Sequence, residues 1–205
     1  MRRVVVAVLG CLLLLSGCSS LNGTGDKGFY SGDGEVHLID PADRGDPVDL
    51  SGTDLDGKPI DLADHRGKPV VVVVWGSWCG PCRAEAPDVV AAARQIGGTA
   101  QVVGINLRDP STSTGQAFVR RFDVPYPSIF SPDGKAMLAF QGTLGPNSIP
   151  SFVVLDDQGR VAASILGALP GRQTLVDVVS DVAAEGGSGG ASSSSPTAGE
   201  QTTDG

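Results

Sequence analysis

Apolar residues fall into short β-branched runs, separated by stretches in which apolar positions recur at helical spacing. Val70-Val71-Val72-Val73-Val74-Trp75 has no polar interruption, which predicts a central strand buried on both faces. A helix is expected over 81–96, ended by Gly97-Gly98. Residues 101–106 read as a second buried strand, and 113–122 as a helix with Phe118, Val119 and Phe122 on one side. A strand at 128–130 and a short helix at 135–140 follow. Strands at 151–155 and 160–166, joined by Asp156-Asp157-Gln158-Gly159, then lead into a last helix over 172–184. Upstream, strands at 48–50 and 59–62 flank Asp56-Gly57, a hairpin turn signal. Strands and helices that alternate and close on a strand pair predict an α/β fold, a central mixed sheet flanked by helices.

The ends of the chain do not share this pattern. Met1-Arg2-Arg3 precedes an apolar stretch over 4–15, the length of a signal-peptide core and too short for a spanning helix of ~20 residues. It closes on Leu15-Ser16-Gly17-Cys18, which resembles the bacterial lipobox. That resemblance implies cleavage before Cys18, acylation of its thiol and firm anchoring to the cell membrane on the extracytoplasmic face. An ordinary secretory signal with an incidental cysteine is the alternative. The expected organisation is a lipoprotein signal peptide over 1–17, a flexible tether over 18–46, one folded domain over 47–185 and a disordered tail over 186–205. The tail is almost all small or polar residues and cannot bury enough apolar surface to order itself.

Composition narrows the function. A formal charge of −8 over 205 residues makes nucleic acid an unsuitable partner. The cysteines number 4, too few and too unevenly placed for a disulfide-stapled scaffold. Cys11 would leave with the signal and Cys18 would be acylated, so Cys79 and Cys82 would be the free thiols of the mature protein.

Trp78-Cys79-Gly80-Pro81-Cys82 sits where a buried strand gives way to a helix. Cys79 is expected at the helix N-terminus, where unpaired N–H groups and the macrodipole favour an anion. The thiolate is the attacking species in disulfide exchange, and such a position lowers a thiol pKa below its ordinary ~8.5. Cys82, one turn on, is expected to be less exposed, and Pro81 suits a first helical turn because no donor is needed there. Cys79 would then attack a substrate disulfide and Cys82 would resolve the mixed disulfide. A structural disulfide across so short a loop would constrain little. Zinc would need four ligands, and His37 and His65 lie upstream without ligand spacing. A c-type haem site would need a histidine where Arg83 stands. No metal and no cofactor is therefore expected.

Three blocks carry a resemblance to a known family: Gly57-Lys58-Pro59-Ile60-Asp61-Leu62, Arg66-Gly67-Lys68-Pro69-Val70, and Val74-Trp75-Gly76-Ser77-Trp78-Cys79-Gly80-Pro81-Cys82-Arg83-Ala84-Glu85-Ala86-Pro87. The chain resembles the thioredoxin-like thiol–disulfide oxidoreductases of the TlpA and ResA type over about 48–184. The resemblance implies a thioredoxin fold with an added N-terminal β-hairpin. It also implies a partly buried Glu85 beneath the cysteines, where thioredoxins carry a strand aspartate at the position of Val73. A carboxylate there can exchange the protons the chemistry requires; the alternative is a solvated helix glutamate. Pro87, inside the expected helix, matches a kink in the resembled fold. A cis proline at Pro150, after Ile149, is implied to face the dithiol, with Trp78, Gly80 and Pro81 completing the substrate-binding surface. Trp75 reads as core, and Arg83, Arg120 and Arg121 as solvated helix residues.

The family reading extends to partners. Members of ResA type reduce apocytochrome c before haem attachment and are recharged by a CcdA-like membrane electron donor. The Gly-Pro dipeptide matches that of thioredoxin, whose potential is about −270 mV, and favours reduction of client disulfides. The runner-up is an extracytoplasmic oxidase, nearer about −120 mV. A peroxiredoxin lacks its Thr-x-x-Cys here, since Gly76 stands three before Cys79. A Sco-type copper chaperone would need a wider cysteine spacing and a downstream histidine. A monomer is the default expectation.

Overall fold

The computed structural model describes residues 34–188. The expected signal peptide, the lipidation candidate Cys18 and most of the expected tail lie outside the described residues. Among the described residues eight strands occur in the order β1 (Glu35–Leu38), β2 (Ser51–Thr53), β3 (Pro59–Asp61), β4 (Val70–Trp75), β5 (Gln101–Leu107), β6 (Ser128–Ser131), β7 (Ser151–Leu155) and β8 (Val161–Leu166). Among the same residues three α-helices are interleaved: α1 (Gly80–Ile96), α2 (Thr112–Phe122) and α3 (Arg172–Ser188). Short 3-10 helices cover Leu62–His65 and Lys135–Phe140.

Six strands form one mixed sheet in the order β1-β8-β7-β4-β5-β6. β4 lies parallel to β5 and antiparallel to β7, with Val74 opposite Ser151. The α/β architecture expected from the alternation is therefore present. β4 is apolar throughout because both of its faces are covered. Val71, Val73 and Trp75 pack under α1, α2 and α3, while Val70, Val72 and Val74 pack against Leu62, Met137 and Phe140 on the other side. α1 runs unbroken through Pro87, which is exposed.

The β2–β3 hairpin is present, but its first strand is Ser51–Thr53 rather than 48–50. Val48 and Leu50 are buried as core residues, and their backbones bond across to Gly159 and Leu62 instead of to the hairpin partner. Two boundaries also differ from expectation. β1 lies within the segment read as a tether: it pairs antiparallel with β8 and buries Val36, so long-range pairing supplies the order that local composition does not. The chain between β1 and β2 is held by Arg44, whose buried side chain pairs with Asp156, 3.3 Å away, and with Glu185 of α3. α3 itself continues to Ser188, past the expected tail boundary.

Candidate active site

The dithiol site is built at the carboxyl end of β4. Cys79 is the N-cap of α1, with extended backbone, and its Sγ accepts the Cys82 N–H at 3.2 Å. A sulfur thus occupies the place that Ser or Asp oxygen fills in ordinary caps, in the field of the helix N-terminus. Cys79 and Cys82 are joined by a disulfide, S–S 2.04 Å. The expected difference in exposure is not present: the two residues are 4% and 3% exposed. Bonded sulfurs share one position in the packing, so the asymmetry between them is one of hydrogen bonding and place in the helix, not of access.

The turn that delivers Cys79 is tightly held. Cys79 N–H donates to Gly76 O at 3.1 Å, closing a turn over Gly76-Ser77-Trp78-Cys79. Trp78 is 51% exposed, yet its Nε1–H donates to Leu107 O at 3.0 Å. Ser77 donates its hydroxyl to Asp109 at 2.6 Å. Trp75 behaves as the core residue read from sequence: it stacks on Phe118 at 4.4 Å and donates Nε1–H to Ser128 Oγ at 3.1 Å.

Glu85 is half-buried on α1, one turn beyond Cys82. Its Oε2 accepts the Leu169 N–H at 2.8 Å. Burial pushes its carboxyl above the ordinary value of 4.5; the Leu169 bond opposes this and the Asp88 charge adds to it. Glu85 lines a small cavity with Val73, Cys82, Val89, Phe118 and Tyr126. The carboxylate therefore neighbours the second cysteine, with Val73 forming apolar wall. Tyr126 shares this cavity, and its phenol is pushed up by burial and by the Glu85 charge.

The Ile149–Pro150 bond is cis. Because β7 runs antiparallel to β4, Pro150 stands at the end of the sheet where Cys79 emerges. Its carbonyl accepts Gly167 N–H at 3.1 Å. Gly80 and Pro81 are exposed in the first turn of α1. Sequence reasoning missed Arg108, Asp109 and Tyr126. Each reaches the site through partners far away in the chain, and as isolated letters they read as loop residues.

Known proteins match this arrangement. The Redoxin family profile matches residues 41–182. A DsbF homologue from Corynebacterium diphtheriae is 35% identical with a TM-score of 0.65, covering 75% of this chain and 97% of that one. A secreted thiol-disulfide isomerase from Corynebacterium glutamicum is 32% identical with a TM-score of 0.68, covering 76% and 96%. The thiol-disulfide oxidoreductase ResA of Bacillus cereus is 26% identical over 159 residues, 76% of this chain and 85% of ResA. The chain belongs to the Redoxin family and, within it, to the thioredoxin-like thiol–disulfide oxidoreductases of ResA type.

Proposed function

We propose that Cys79 is the attacking thiol and Cys82 the resolving one, in reductive exchange with disulfides of extracytoplasmic client proteins. The observation that carries this reading is the Sγ of Cys79 capping α1, which favours a thiolate there. The Cys79 thiolate attacks one substrate sulfur, forming a mixed disulfide and releasing the other sulfur as a thiolate. Cys82 gives its proton to the Glu85 carboxylate and attacks Cys79 Sγ. The second substrate thiolate leaves, and two electrons have passed to the client as the Cys79–Cys82 disulfide closes. Glu85 suits this task because it shares a cavity with Cys82 and burial favours its protonated form. Trp78, Gly80 and Pro81 form one wall of the substrate groove, and Ile149 and Pro150 the other. With the Pro150 carbonyl engaged by Gly167, the half-buried Ile149 is the part of that wall left to meet substrate.

The client class is apocytochrome c during cytochrome c maturation, with recharging by a CcdA-type membrane donor and anchoring through acylated Cys18. The likeness to ResA and the Gly80-Pro81 dipeptide support this direction. A second reading, exchange in the oxidising or isomerising direction, is favoured by the name of the Corynebacterium glutamicum relative, a thiol-disulfide isomerase, whose identity to this chain is higher than that of ResA. A redox equilibrium against glutathione separates the two. A potential near about −270 mV supports the reductase, and one near about −120 mV overturns it in favour of the oxidase. Cys82→Ser should trap mixed disulfides and Cys79→Ser should abolish turnover; insulin reduction by Cys79→Ser would overturn the assignment of roles.

A further inference from the structure

Both walls of the groove lean on one corner of the fold, the three residues that end β5 and leave it. Leu107 O holds the Trp78 indole. Asp109 is 1% exposed and accepts from the Ser77 hydroxyl at 2.6 Å, the Ser77 N–H at 3.3 Å and Asn106 Nδ2 at 2.7 Å. Asn106 gives its amide hydrogen to Asp109, while its Oδ1 finds no partner among the described residues. A buried polar atom left unpaired is a cost, and the arrangement that incurs it here is the one that holds Asp109 in place.

Arg108, between them, reaches the opposite way. Its guanidinium donates from Nη1 to Asn147 Oδ1 at 3.0 Å and from Nη2 to Pro146 O at 3.0 Å. Those residues lead directly into Ile149 and Pro150. The Arg108 backbone lies at φ 56, in the left-handed region that glycine adopts freely and residues with a Cβ do not. The backbone alone would be better served by glycine, so an arginine at this position contributes through its side chain. Strained non-glycine residues of this kind gather at functional sites.

We propose that Arg108 and Asp109 are positioning residues that fix the two walls of the substrate groove from a single corner: Asp109 holds the turn that presents Cys79, and Arg108 holds the loop that presents Ile149 and Pro150. This rests on the reading of Cys79 and Cys82 as the exchange pair. The two residues divide the work, so their losses differ in kind. Removing Arg108 frees the far wall and leaves the dithiol intact. Removing the Asp109 charge loosens the turn that carries the nucleophile.

The test uses the full chain and two disulfides, insulin and oxidised glutathione, with KM and kcat measured separately. Arg108→Gly keeps the backbone conformation; its KM for insulin should rise about fivefold while its rate with oxidised glutathione stays within about twofold. Asp109→Asn should lower the rate with both disulfides by about fivefold at an unchanged circular-dichroism spectrum. Should Asp109→Asn fail to fold, Ser77→Ala removes one donor alone and should lower both rates in the same sense. An insulin KM unchanged by Arg108→Gly, an equal loss on both substrates in that variant, or full rates in Asp109→Asn or its substitute would overturn the proposal. Wild-type chain inactive on both disulfides, or an active Cys79→Ser chain, would instead remove the exchange reading beneath it.

Discussion

Gly76 is the point at which the site is most sensitive to a single methyl group. A Cβ there would stand 2.7 Å from Trp78 Nε1 and 3.0 Å from Leu107 O. Leu107 O belongs to β5, held between β4 and β6, and cannot retreat. The indole is 51% exposed and can swing into solvent, so it is the group that moves. Gly76→Ala therefore breaks the 3.0 Å bond from Trp78 to Leu107 O. On leaving, the indole N–H finds water while the carbonyl loses an acceptor bond, a net cost of about 1–2 kcal/mol. For a domain of this size, a melting point lower by roughly 2–8 °C follows, at about 2–4 °C per kcal/mol. Thermal melts with tryptophan emission as the probe measure both consequences. Trp75 stays bonded to Ser128 in the core, so a red shift in emission reports Trp78. Trp78→Phe supplies the control, since it loses the bond without the clash and should cost about 1 kcal/mol. A Gly76→Ala protein with an unchanged melting point and unchanged emission would refute the argument that this close approach dictates glycine.

Two further outcomes follow from charge. Burial raises the Glu85 carboxyl above 4.5, so the fold favours its protonated form, and stability is lost as pH rises through the folded value. Glu85→Gln has no charge to bury, so its melting point relative to wild type should be higher at pH 8 than at pH 4; the opposite trend would show that the Leu169 bond outweighs burial. Asp156 is itself buried, which raises its carboxyl, but hydrogen bonds from Arg160 and Arg44 hold it below the ordinary range overall. Its contribution is therefore present above the unfolded value and lost as pH falls. Asp156→Asn strips Arg44, whose side chain is 3% exposed, of one of its two carboxylates, and should cost about 3 kcal/mol in urea unfolding at neutral pH. A loss under about 1 kcal/mol would mean that Glu185 alone satisfies Arg44.

The central strand, the helix that follows it and the dithiol between them were legible because each carries a local signal. β4 is apolar without interruption, and Cys79 and Cys82 sit at a strand-to-helix junction. What sequence could not show depends on partners distant in the chain. β1 has four residues with an ordinary mix of Glu, Val, His and Leu, and becomes a strand only because β8 offers it an edge. Asp109 serves Ser77 across 32 positions, and Arg108 reaches Asn147 across 39. Neither link leaves a periodicity to read. The left-handed backbone of Arg108 is hidden for a related reason: arginine is not a residue that announces positive φ.

The same logic explains why the acidic group sits on the helix and not on the strand. Val73 is 3% exposed, and its side chain faces the apolar cavity that runs beneath Cys82. A carboxylate in its place would meet Trp75, Val89 and Phe118 and would stay ionised only at a high desolvation cost. Glu85 reaches the same cavity from its rim. It is half-buried, and the Leu169 amide supplies a donor that steadies the ionised form. Burial pushes its carboxyl above the ordinary range and the amide opposes that shift, a combination that suits the proton transfer proposed for it. In the proposed exchange, the helix position would keep one edge of the carboxyl toward solvent, through which a proton taken from Cys82 would leave.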